Sequence, residues 1–74
     1  MRALLQDKED GTLIAVSVES IYYAPDAMEL YISSGYSSYT IDRIIQANAD
    51  SLIRELFETG KSDMTAYPAS VDEE

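Results

Sequence analysis

The 74-residue chain contains no cysteine, no histidine and no tryptophan. Without cysteine there is neither a disulfide nor a thiolate metal site or nucleophile. Without histidine the chain lacks the usual general base near neutral pH, which is also the commonest metal ligand. These two absences close most routes to catalysis, so the expectation is a non-enzymatic protein that takes no cofactor. Bases are also scarce, five against fourteen acids, for a formal charge of -9. Neutralising phosphate requires clustered Lys and Arg, so direct binding to nucleic acid or to an anionic membrane is not expected.

Long apolar runs are missing too. No uninterrupted run approaches the roughly 18 residues that a membrane span needs. The opening MRALLQDKED has only Ala3 to Leu5 as an apolar run before a charged cluster, too short for a secretory h-region. A soluble cytoplasmic protein is the expectation.

What is present suffices for a core. Apolar residues make up 46% of the chain, enough side chain to offset much of the ordering entropy. A domain this small buries only about 60% of its unfolded surface, and here no disulfide can supplement the core. A second copy of the chain is therefore one natural source of further burial.

The hairpin signal comes first. Arg2 to Gln6, then DKEDG, then TLIAVSV reads as strand, turn, strand, because Asp10-Gly11 supplies the positive φ that hairpin loops favour. The second strand is expected to run on through ESIYY to Tyr23, with a bulge near Glu19-Ser20. Pro25-Asp26 ends it. In AMELYIS the alternation is clear: Met28, Leu30 and Ile32 face one way, Glu29, Tyr31 and Ser33 the other. Ser34-Gly35 turns the chain, and Ser37, Tyr39 and Ile41 line one face of the returning strand.

Ala49, Leu52, Ile53, Leu56 and Phe57 recur at the spacing of an amphipathic helix. Asn48 is a good N-cap and Gly60 a good C-terminal stop, but Ile41, Ile44 and Ile45 extend the period backwards with Thr40 as an alternative cap, so the start is expected between Asp42 and Asn48. Asp50–Arg54 and Arg54–Glu58 are spaced for ion pairs along it. Beyond Lys61, SDMTAYPASVDEE has no sustained period, and an acidic, flexible tail over 62–74 is expected. That segment holds four acids and no base, which leaves ten acids and five bases, or -5, in a folded domain of residues 1–61.

The predicted fold is α+β: an antiparallel meander of three to five strands packed on one face by a single C-terminal helix. Its core would hold Leu4, Leu13 or Ile14, Val16, Ile21, Leu30, Ile32, Ile41, Leu52, Ile53, Leu56 and Phe57.

Two motifs that suggest chemistry fail on inspection. GYSSY starts like a nucleophile elbow, but Tyr39 stands where the second glycine must be and no histidine can activate Ser37. DKEDG starts like a calcium loop, yet counting back from Gly11 puts Lys8 and Gln6 at ligand positions.

Five of the six tyrosines fall between Tyr22 and Tyr39. Tyr31 should point away from the helix, joined by Tyr22 or Tyr23, which are adjacent and face oppositely, with Tyr36 near the turn. The plain reading is cross-strand packing of a small sheet. The functional reading is a protein-binding face in which Glu19, Tyr22, Tyr23, Asp26, Glu29, Tyr31 and Tyr36 meet a basic, nucleic-acid-binding partner by charge mimicry. The alternative is a homodimer through the tyrosine-bearing face, with acidity serving solubility alone.

The segment LLQDKEDG, Leu4 to Gly11, resembles the N-terminal strand and acidic turn of phage inhibitors of uracil-DNA glycosylase, which are small acidic DNA mimics. The resemblance is to a kind of protein, the small acidic α+β inhibitors of mobile elements, and lies mainly in size, charge and the absence of catalytic groups. It spans eight residues, and no site residue is carried over from it.

Overall fold

A computed structural model describes residues 1–73. It contains seven strands and one helix: β1 Arg2–Gln6, β2 Leu13–Ser17, β3 Ser20–Ala24, β4 Glu29–Ser34, β5 Ser37–Ile41, α1 Gln46–Thr59, β6 Lys61–Asp63 and β7 Ala69–Glu73. They form two sheets, ordered β2-β1-β6 and β3-β4-β5-β7. The α+β class and the β3-β4-β5 meander are as predicted, but the strand count is higher and the strands divide between two sheets.

The division occurs where a bulge was expected. Val18 donates its N–H to Met1 O at 2.8 Å, the last bond to the first sheet, and Glu19 donates to Ser33 O at 2.9 Å, the first bond to the second. A continuous apolar run thus serves two sheets, and Val18 is buried between them. The sheets meet again at a parallel bridge between Asp7 and Ala69, where the Lys8 N–H donates to Ala69 O at 2.9 Å.

Residues 62–73 do not form a mobile tail. Lys61–Asp63 pairs in parallel with Arg2–Leu4, and Ala69–Glu73 pairs antiparallel with Ser37–Ile41. Met64 and Ala69 are fully buried, and that burial is what holds the segment down. Glu74, the last acid of the expected tail, lies outside the described residues.

The edge of β6 is closed by the helix rather than by a strand. Lys61 N–H donates to Thr59 Oγ1 at 3.2 Å and Asp63 N–H to Glu55 Oε1 at 3.3 Å, while the single Thr59 hydroxyl proton lies between Glu55 O at 2.8 Å and Lys61 O at 2.9 Å.

The helix ends as predicted, with Gly60 left-handed at φ 78 and its N–H donating to Leu56 O. Its start at Gln46 falls within the predicted interval from Asp42 to Asn48, but the N-cap is not Asn48. Ile45 occupies the N-cap position without any side-chain cap, and Asn48 lies inside the first turn. The reason is tertiary. Ile44 is fully buried and its N–H is held by Met28 O at 3.0 Å, which fixes where the chain can begin to coil. Ala49 and Leu56 are fully buried, but Phe57 is 63% exposed and not in the core. At about 100° per residue it sits roughly 80° from Ala49, on the shoulder of the buried stripe. The helix pairs Asp50–Arg54 and Arg54–Glu58 do not close; among the described residues the ion pair formed is Lys8–Asp42, at 3.3 Å.

The core runs through Leu5, Val16, Leu30, Ile32, Tyr39, Ile41, Ile44, Leu56 and Met64. In β1 the inward phase belongs to Ala3 and Leu5, so Leu4 points outward, contrary to the prediction. In β2 Ile14 packs against the core while Leu13 is exposed. Among the described residues no helix is long and apolar enough to cross a membrane.

Candidate functional site

The four-stranded sheet buries one face, and among the described residues no element covers the other, where Tyr22 and Tyr31 are exposed. Inward lie Ile21, Tyr23, Leu30, Ile32, Tyr39 and Ile41, all buried or packed on the core. Outward, the register builds two rows across the strands. Tyr22, Tyr31, Thr40 and Ser70 are successive cross-strand partners, as are Ser20, Ser33, Ser38 and Asp72. The face is therefore hydroxyl-rich around a tyrosine pair.

Tyr22 and Tyr31 stand directly opposite each other, with ring centroids 6.3 Å apart and planes 9° from parallel. Their exposures are 64% and 37%. Tyr31 donates its hydroxyl to Glu29 Oε1 at 2.5 Å, an i to i+2 contact along one strand face. That hydrogen bond is the chief reason the Tyr31 phenol is held above its ordinary pKa, with desolvation and the nearby Glu29 charge adding to it.

Of the remaining predicted residues, Tyr23 is not on this face. It turns inward and donates its hydroxyl to Ile44 O at 2.7 Å, so its part is to brace the segment leading into α1. Asp26 lies in the turn between β3 and β4, beside the Glu29 end of the sheet. Glu19 is exposed at the entry to β3, at the opposite end. Tyr36, 90% exposed, is at the tip of the β4–β5 turn next to the left-handed Gly35, at the Glu19 end. The sheet thus sets Tyr22 and Tyr31 opposite each other in its middle, with Glu29 and Asp26 at one end and Glu19 and Tyr36 at the other, about 20 Å apart along a six-residue strand.

Charge sharpens the picture. No Lys or Arg occurs between Glu9 and Asp42, nor after Lys61, so β3, β4, β5 and β7 contain no base. Asp72, assigned from sequence to a tail, belongs to the outer face through its pairing with Ser38. Only the antiparallel pairing of β7 with β5 could have shown this.

The acids of the first hairpin are otherwise occupied. Asp7 Oδ1 accepts from Glu9 N–H and Asp10 Oδ1 from Thr12 N–H, each at 2.9 Å, with Gly11 at φ 77. The bond from Thr12 N–H lowers the Asp10 pKa, and Asp63 is lowered likewise, first by the Thr65 hydroxyl and then by the Thr65 N–H. Among the described residues no group of three or more acidic side chains is arranged to hold a metal ion.

Two hollows lie off this face. One, of about 250 Å³, opens over Leu4 and Ala15 on the three-stranded sheet between Arg2, Lys61 and Asp63. The other, of about 480 Å³, is lined by Lys8, Asp42, Arg43, Ala66, Tyr67 and Pro68. Four of the chain's five bases line one or the other. Neither was anticipated, because each assembles residues distant in sequence. Comparison of the chain with protein-family models, with curated proteins and with solved structures gave no match.

Proposed function

We propose that the chain is a non-enzymatic binding module, an inhibitor or regulator, that engages a basic, nucleic-acid-handling protein through the outer face of the four-stranded sheet. One observation carries this reading: an uncovered face with a stacked tyrosine pair at its centre, acids at both ends and no base in any of its four strands. Tyrosine supplies contact area at a low cost in rotamer entropy and keeps a polar tip for hydrogen bonding. The acids would steer a basic groove onto the face and occupy the contacts otherwise made to phosphate.

The test is affinity capture from a lysate of the native host, with elution in rising salt and identification by mass spectrometry, run beside a Glu29→Lys variant. A basic nucleic-acid-binding protein released at moderate salt by the parent, and not retained by the variant, is the expected result. If the face instead joins two copies, sedimentation will show a dimer that persists as salt rises and dissociates on Tyr31→Ser. That outcome, with no basic protein captured, would sink the mimicry reading.

A further inference from the structure

We propose that the hollow between the β1–β2 turn, the β5–α1 connection and the β6–β7 loop binds a small ligand carrying an oxyanion on a compact apolar body. None of its lining residues belongs to the tyrosine face, and the proposal does not rest on that reading. The hollow's volume, about 480 Å³, falls within the roughly 300 to 1,000 Å³ typical of small-molecule sites.

Its chemistry is unusual for this molecule. Lys8 and Arg43 converge there with a single acid, Asp42, so the lining carries a net positive charge in a chain whose total is -9. Asp42 holds Lys8 Nζ at 3.3 Å and so orients the ammonium, which keeps its remaining donors. Among the described residues Arg43 makes no ion pair, leaving a planar fork suited to two oxygens of a phosphate or carboxylate. Ala66, Tyr67 and Pro68 supply the apolar wall.

The backbone adds an independent observation. Arg43 is left-handed, at φ 57, a conformation that costs energy for any residue with a Cβ and that glycine adopts freely. A turn serving only to connect β5 to α1 would be better made with glycine. Arg43 takes this conformation at a position whose side chain lines the hollow, and such outliers cluster at binding sites. Among the described residues Met28, at φ 54, is the other left-handed residue that is not glycine, and it does not line the hollow.

The experiment is an amide NMR titration of the full chain with phenyl phosphate, benzoate and inorganic phosphate. Saturable shifts confined to Lys8, Arg43, Tyr67 and their neighbours are expected with one aryl oxyanion, and which of the two saturates identifies phosphate or carboxylate as the source. Inorganic phosphate should bind at least tenfold more weakly than that ligand. Arg43→Gln and Lys8→Gln should each weaken binding at least tenfold. Arg43→Gly should raise the melting temperature and abolish the response, whereas Met28→Gly should raise it and leave the response intact. Shifts that stay linear and diffuse with all three probes, or an Arg43→Gly protein that responds as the parent does, would overturn the proposal.

Discussion

The two sheets differ most in how they handle charge. The four-stranded sheet holds no base and turns hydroxyls, two stacked tyrosines and acids to water. The three-stranded sheet sets Arg2 directly beside Lys61 across a parallel ladder, a like-charge pairing that costs stability, over a depression floored by Leu4 and Ala15. A total of -9 therefore hides a polarised molecule. Dividing the same charge by sequence, into domain and tail, gave two acidic halves and missed the asymmetry. Charge here is sorted by sheet, and only the strand pairing reveals it.

The sharpest way to break this comparison is to remove the support that both sheets share. Leu56 is fully buried on the face of α1 that packs against the strands, and Leu56→Asp would bury an unpaired carboxylate in a domain of marginal stability. The cooperative melt followed by circular dichroism should disappear; its retention near the parent temperature would contradict the packing.

Truncations should then separate the sheets. Ile32→Ala, beneath the four-stranded sheet, should cost about 2 to 5 kcal/mol in urea denaturation, whereas Leu4→Ala, on the outer face of the three-stranded sheet, should cost less than about 1.5 kcal/mol. Equal costs would mean that Leu4 packs more deeply than its outward phase allows. A double-mutant cycle on Tyr22→Ser and Tyr31→Ser should give a coupling of about 0.5 to 1.5 kcal/mol. A coupling of zero would reduce the stack to proximity.

The smallest effect concerns pH. The hydrogen bond to Glu29 raises the Tyr31 pKa in the folded state above its unfolded value of 10.0. The contribution of this bond to stability is therefore complete below pH 10 and is lost as pH rises through the folded pKa. Ultraviolet titration of the phenols should find Tyr31 ionising above the ordinary tyrosine value, and Glu29→Gln should move it down. No movement would detach the shift from Glu29.

What was legible in the sequence was local. Asp10-Gly11, Ser34-Gly35 and Gly60 each announce a turn through a backbone requirement that needs no distant partner, and all three glycines are left-handed as required. The alternation from Leu30 to Ile32 likewise fixed which side of β4 is buried. The failures were nonlocal. β6 has three residues and no period, and it is a strand only because Arg2 to Leu4 lies beside it some sixty residues away in sequence. Ala69 and Val71 do alternate with Ser70 and Asp72, but four residues are too few for a sustained period beside three terminal acids. For the site, adjacency required Tyr22 and Tyr23 to face oppositely without saying which faced out. The buried carbonyl of Ile44 decided it by accepting the Tyr23 hydroxyl.

The helix side chains that close β6 also set a limit on association. With Lys61 and Asp63 already engaged by Thr59 and Glu55, a strand added to the three-stranded sheet has only the β2 side to join. Two copies joined there would each present a stopped edge outward, so growth by this sheet would terminate at a pair instead of propagating into a fibre.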